Sequence, residues 1–593
     1  TTQVSAGTLT VSGSGRLSDS TAVTVDSGAV YNVAVSDTVA SIAGAGSITL
    51  GSNTLTSGGS NASTTFSGVI SGTNGNLVKA GSGTLTLSGA NTYTGTTTIN
   101  AGDLTVSGSL HDSTAVTIAS GADYNVNASD TVASIEGAGN IVIASSQTLT
   151  AGDGNDKTLS GVISGAGNYI KAGSGTQTLS ASNTYTGTTQ VSAGTLTVSG
   201  SGRLSDSTAV TVDSGAVYNV AVSDTVASIA GAGSITLGSN TLTSGGSDAS
   251  TTFSGVISGT NGNIIKAGTG TLTLTGNNSY TGSTTISAGL LKIIRDDPTS
   301  YLAATSGFTG PGNLTIESSG DDFTADIVTG THVQLAGTAL GNLIIGKTGN
   351  TRQIDLSSDI TTTGTQTYNG PVRLVGGDRT VSTTNSNVIF ASTVNSDGTQ
   401  RALTVTNGTG DTTFTGAIGG SAPVKSLTIT SDQLTAGAIT LNGALTATLG
   451  GSSSITGVIA NGASTANLVK AGSGTLTLSA SNTYTGTTQV SAGTLTVSGS
   501  GRLSDSTAVT VDSGAVYNVA VSDTVASIAG AGSITLGSNT LTAGGSNANT
   551  TFSGVISGSN GNLIKAGSGA LTLSGVNTYT GTTTINAGDL TVS

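Results

Sequence analysis

Cysteine, methionine and tryptophan are missing from all 593 residues. Without cysteine there is no disulfide framework and no thiolate metal site, although any redox compartment remains open. Charge is scarce, at 8% of residues, where an ordinary globular chain has about 25%. The whole chain has only two glutamates, Glu136 and Glu317, and two histidines, His111 and His332. Paired carboxylates, a His-based triad and a His/Asp metal centre therefore have little to draw on. The net charge of −13 and pI near 4.3 provide no basic patch to displace counterions from nucleic acid, so no nucleic-acid partner is expected. No run of 18 apolar residues occurs and the chain opens on TTQVSAGTLTV, which gives neither a membrane span nor a signal peptide. Parts of an exported protein that supply them are expected to lie outside this chain.

What is present is glycine, 91 residues of it, with abundant Thr, Ser, Val, Leu and Ile. Low charge with many β-branched residues opposes disorder. QVSAGTLTVSGSGRLSDSTAVTVDSGAVYNVAVSDTVASIAGAGSITLGSNTLT begins at Gln3, Gln190 and Gln489 without a change, and a diverged copy begins at Thr98. The repeat period is 95 residues, interrupted once by a section at 290–465. The expected divisions are 1–97, 98–189 (diverged), 190–289, 290–465 and 466–593, all parts of one continuous solenoid that is a fragment of a longer chain.

Within a period, short alternating runs recur, including TLTV at 8–11, AVTV at 22–25, SITL at 47–50, NLVK at 76–79 and TLTL at 84–87. Period-2 alternation predicts strands with one buried face, Leu85 and Leu87 inward and Thr84 and Thr86 outward. No stretch keeps a helical apolar period across the glycines, so no helices are expected. Hundreds of residues of near-identical repeats fit a parallel β-helix, in which each coil stacks on its neighbour. Its expected hand is right-handed. At roughly 20 to 25 residues per coil the chain supplies about 25 to 30 coils, a rod of roughly 120 to 145 Å.

All four prolines, four of the seven phenylalanines and five arginines fall in 290–465, yet alternation continues in LTIE at 314–317, SLTIT at 426–430 and AITLNGALTATL at 438–449. This predicts the same solenoid with longer loops.

The motif NLVKAGSGTLTLSGANTYTGTTTINAGDLTVSG, residues 76–108, closely resembles the passenger-associated transport repeat, also called the autotransporter-associated β-strand repeat. Copies of its core begin at Lys79, Lys171, Lys266, Lys470 and Lys565. The middle section resembles the solenoid of filamentous haemagglutinin-like adhesins. The resemblance implies the passenger of a large bacterial autotransporter adhesin, secreted to the cell surface and anchored in the outer membrane through a C-terminal part missing here. It implies a non-catalytic stalk or fibre serving adhesion, aggregation or biofilm. Implied partners are a host or neighbouring-cell surface ligand, or further copies of the chain in filaments, a sheath or a matrix.

Candidate chemistry is thin. No catalytic, cofactor-binding or metal-binding residue is assigned, and no cofactor is expected. A carbohydrate-active enzyme, the remote alternative, would draw on the acidic cluster Asp296, Asp297, Asp321, Asp322 and Asp326 with Lys292 and Arg295, which reads better as a solvated loop. Asp19, Asp26 and Asp37 and their copies Asp206, Asp213 and Asp224 stand in Ser/Gly contexts that predict turns. AGDGNDKTLSG at 151–161 resembles one calcium-binding nonapeptide, but only once, so Asp153 and Asp156 read as turn variants. His111 and His332 read as isolated surface residues. The motif Lys and Tyr (Tyr93, Tyr185, Tyr280, Tyr484, Tyr579) either form a ligand stripe or are structural. The structural reading, in which Tyr covers a coil edge and Lys snorkels over it, is the expectation.

Overall fold

A computed structural model describes residues 1–298, 307–335 and 340–593. Part of the section at 290–465 thus lies outside the described residues. The described chain is all strand and turn, with no helix. It divides into two units, the first comprising Thr1–Leu291 and the second essentially Gly307–Ser593.

Both units are parallel β-solenoids. In the first, a coil contributes three strands, as in Val69–Gly72, Asn76–Lys79 and Leu85–Leu87, and each pairs in parallel with a strand of the coil before it. Partners stand one coil apart, from 17 residues (Asn32 with Thr49) to 22 (Leu77 with Leu55). Sheets of nine and twelve strands result in this unit, and another of twelve in the second. Parallel strands in register place like on like, so the inward residues form columns. One runs Phe66, Leu87, Val106, Val126, Ile143, each fully buried, while Thr84 and Thr86 lie partly open to solvent as the alternation predicts. Burying such columns is the main favourable contribution, at about 25 cal/mol per Å² of apolar surface.

The second unit begins with wider coils. Leu314 pairs with Leu343 and Ile327 with Ile354, registers of 29 and 27 residues that carry the longer loops expected there. Tyr368, Phe390 and Phe414 then occupy one inward column. Their rings stack at 5.0 and 4.8 Å with interplanar angles of 10° and 2°. That spacing is the strand separation of a sheet, so register alone brings the rings face to face.

The turns explain the glycines best at Gly81. It has φ +68°, and a Cβ there would sit 1.9 Å from the Gly58 carbonyl of the coil below. No other residue tolerates both the left-handed backbone and that contact.

Candidate functional site

The repeated motif lysine is buried. Lys79 is 1% exposed. It follows Leu77 and Val78 in the strand Asn76–Lys79, so alternation turns it inward with Leu77. Its ammonium donates to the carbonyls of Ala80 at 2.9 Å, Gly81 at 2.8 Å and Ala101 at 2.8 Å. The first two belong to its own turn and the third to the turn of the next coil. All three protons are used, which is what a buried ammonium requires. Lys171, Lys266, Lys470 and Lys565 repeat the arrangement on Ala193, Ala288, Ala492 and Ala587. The residue directly beneath is small every time: Ser57, Ala151, Ser244, Ala447 and Ala543. Burial lowers the pKa of Lys79, Lys171 and Lys266, and brings Lys470 down to about 8.

The motif tyrosine is buried too in four of its five copies, Tyr93, Tyr185, Tyr280 and Tyr484. Tyr93 is fully covered and its hydroxyl meets the Thr97 hydroxyl at 2.6 Å, an arrangement repeated by Tyr280 and Thr284 at 2.6 Å. Desolvation raises the phenol pKa in both cases, to about 12 for Tyr280. The asparagine two residues earlier spans three coils. Asn91 accepts from the Ile70 amide of the coil below at 3.1 Å, then donates to Gly89 at 3.1 Å and to Ser109 of the coil above at 3.0 Å. Asn183 and Asn482 repeat all three bonds.

These positions correct the sequence reading. The lysine does not snorkel, and Tyr93, Tyr185, Tyr280 and Tyr484 do not cover an edge, because these side chains point into the core, where no ligand stripe can form; Tyr579 alone of the five tyrosines is partly exposed. The reading of Asp37 and Asp224 as turn residues is corrected as well. Asp37 is 3% exposed and accepts the Tyr31 hydroxyl at 2.5 Å. Asp130, Asp224 and Asp523 pair in the same way with Tyr124, Tyr218 and Tyr517. Burial raises the Asp130 carboxyl to about 6, with the Tyr124 hydroxyl and the Leu110 amide opposing the shift. Asp26 does stand in a turn, its carbonyl accepting the Ala29 amide at 2.9 Å while its carboxylate accepts the Gln3 side-chain amide of the neighbouring coil at 2.8 Å.

The acidic cluster does not converge. Asp296 accepts the Ser319 amide at 2.7 Å, Asp322 accepts the Thr351 amide and hydroxyl, and Asp326 accepts the Gln353 amide at 3.3 Å, each bond reaching into the following coil. These bonds hold Asp296 and Asp322 below the usual carboxylate range. Lys292 pairs with Glu317 at 2.8 Å, and Asp321 is exposed. In the calcium-like segment, Asp153 accepts the Asn155 amide at 2.7 Å and Asp156 the Thr176 amide at 2.7 Å. Among the described residues no three His, Asp or Glu side chains gather as metal ligands. His111 and His332 each accept a backbone amide through Nδ1, from Ser113 at 3.1 Å and Val328 at 3.0 Å.

The motif that carries these contacts matches the family model of the passenger-associated-transport repeat at residues 77–106, 170–198, 264–293, 468–497 and 563–592. The adhesin BmaC autotransporter of Brucella suis biovar 1 (strain 1330) is 35% identical over 273 residues, which are 43% of this chain and 8% of that protein. The chain therefore spans a small part of the length of that relative. No solved structure matches. The five matched segments are passenger-associated-transport repeats borne on a parallel β-solenoid, and part of the chain that carries them is similar to a stretch of that autotransporter adhesin.

Proposed function

We propose that this region is a non-catalytic structural stalk at the bacterial surface, holding an adhesin's binding parts away from the cell in support of adhesion and aggregation. One observation carries the reading: the polar side chains that recur with the repeat are turned inward and bond to their own and neighbouring coils. Lys79 closes its bonds on turn carbonyls of two coils, Asn91 bonds across three coils, and Asp37 accepts the Tyr31 hydroxyl within its own coil and the Leu17 amide from the neighbouring one. None is left facing solvent to do chemistry. The carboxylates of the acidic loops are likewise held by backbone amides. A solenoid in which each coil rests only on its neighbours can fold progressively from one end, which suits an exported chain.

Electron microscopy of the purified chain tests this. Isolated thin particles that shorten by about 20 Å when one 95-residue period is removed are expected, since a period holds four or five coils about 4.8 Å apart. Regular bundles would instead support a self-assembling filament or sheath. Sugar release from a polysaccharide panel, abolished by Asp321→Asn with Asp322→Asn, would overturn the non-catalytic reading.

A further inference from the structure

In the second unit the turn Arg502–Ser506 overhangs the Asn482–Thr485 segment of the coil below and leaves an open groove of about 430 Å³. Its polar lining includes Asn482, Thr483, Thr485, Arg502, Ser504 and Asp505. Arg502 is half-buried, and Nη1 donates to the Gly501 carbonyl at 2.7 Å. Nε and Nη2 have no acceptor, and no carboxylate of the described residues lies within ion-pair distance. Elsewhere in the chain, Arg373 and Arg401 do find Asp355 and Asp397. Buried Asp523 acts on this guanidinium only through space, so Nε and Nη2 keep their protons free, and such an edge fixed in a groove is a preformed pair of donors for one planar carboxylate.

The rest of the lining narrows the ligand. Hydroxyls of threonine and serine donate and accept, and exposed Asp505 accepts only, which suits the hydroxyls of a sugar. Asp505 and the net charge of −13 oppose a ligand of several charges. We propose that this groove binds a monoanionic acidic sugar, with Arg502 taking the carboxylate and the Ser, Thr and Asp505 side chains the ring hydroxyls.

The same residues recur in the first unit around Arg203. Its Nη1 donates to Gly202 at 2.7 Å, and Ser182 pairs with Arg203 as Ser481 does with Arg502. The diverged repeat supplies an internal control, because its turn reads Ser-Leu-His-Asp-Ser at 109–113 and has no arginine. The site lies on the flank of the coils and stands independently of the stalk reading.

Saturation-transfer NMR of the full chain with galacturonate tests the site, against galactose, the methyl ester of galacturonate and inorganic phosphate. Galacturonate is expected to bind with a dissociation constant on the order of 1 mM, as a single charged contact in an open groove allows. The signal should fall by about half in Arg203→Gln or Arg502→Gln and vanish in the double variant, with unchanged circular dichroism. Asp206→Asn with Asp505→Asn keeps a side-chain oxygen to accept from the ring hydroxyls while removing a like charge, and should strengthen binding at least about twofold, a gain that misfolding cannot imitate. Equal binding of galactose or the ester, or a double arginine variant that binds as the parent does, overturns the proposal. Phosphate competing as well as galacturonate overturns the sugar assignment.

Discussion

Lys470→Met separates the two opposing contributions of the buried lysine. Methionine fills nearly the same volume above Ala447, so no cavity opens. The variant removes an ammonium that burial brings from 10.5 to about 8. Relieving that desolvation returns about 3 kcal/mol at neutral pH, at 1.36 kcal/mol per pKa unit. It also strips donors from the carbonyls of Ala471, Gly472 and Ala492, now held at 2.8, 2.9 and 3.2 Å. Each carbonyl left unpaired costs about 2 kcal/mol, together about 6 kcal/mol. The net expectation is a loss of about 3 kcal/mol, confined to the coils around 468–495 because each coil rests only on its neighbours. Hydrogen exchange followed by mass spectrometry should show amides such as Ser491, which donates to the Lys470 carbonyl, exchanging about 100-fold faster. Protection in the first unit should not change. Slower exchange around 468–495 would refute the reasoning, because the charge penalty would then exceed what the three carbonyls return.

Asn91→Ala removes bonds to Ile70, Gly89 and Ser109 and should cost about 3 kcal/mol at about 1 kcal/mol per bond; exchange at Ile70 no faster than in the parent would contradict it. Tyr169→Phe should stabilise by about 1 kcal/mol, because the Tyr169 hydroxyl is buried without a partner; an unchanged or lower thermal midpoint would count against that. Asp130 has its carboxyl raised in the fold to about 6 from 3.8. Its contribution, up to about 3 kcal/mol, is therefore complete below pH 3.8 and is lost as pH rises through about 6. Local protection around Leu110 should fall between pH 4 and 7, after correction for intrinsic exchange, and Asp130→Asn should flatten the profile; a parallel profile in the variant rules out Asp130 as the source.

The alternation that revealed Leu85 and Leu87 as core also carried the position of the lysine. In NLVK, Leu77 and Lys79 share a face and Val78 takes the other. The pattern was legible, but the rarity of buried Lys and Asp outweighed it, and the same rule misplaced Asp37, which shares its inward face with Val39. A second signal lay one coil earlier, where the residue that ends up beneath each motif lysine is always Ser or Ala. It becomes readable only once the coil length is known, because the partners stand 20 to 23 residues apart. Which carbonyls take the ammonium, and that Asn91 reaches both neighbours, depends on turn geometry with no periodic trace. The free edge of Arg502 was equally hidden, since it exists only where its turn overhangs the Asn-Thr-Tyr coil.

A stack of near-identical coils has a register problem that its aliphatic columns cannot solve. Leu, Val and Ile replace one another freely along a column such as Leu87, Val106, Val126, so a chain displaced by one whole coil would bury nearly the same apolar area. The motif makes that displacement costly. Lys79 needs a small residue beneath it and a carbonyl turn above, and Asn91 needs an amide below and a carbonyl above. Shifted down by one coil, the ammonium would take the place of Ser57 and stand over Val39 without its Ala101 acceptor, and a buried charge missing a partner loses several kcal/mol. The divergent section has no such lysine and uses other devices that depend on register, the Arg373–Asp355 pair between adjacent coils and the stacked rings of Tyr368, Phe390 and Phe414. Placing one polar lock in each period of aliphatic coils lets most of the sequence stay interchangeable while the stacking order does not.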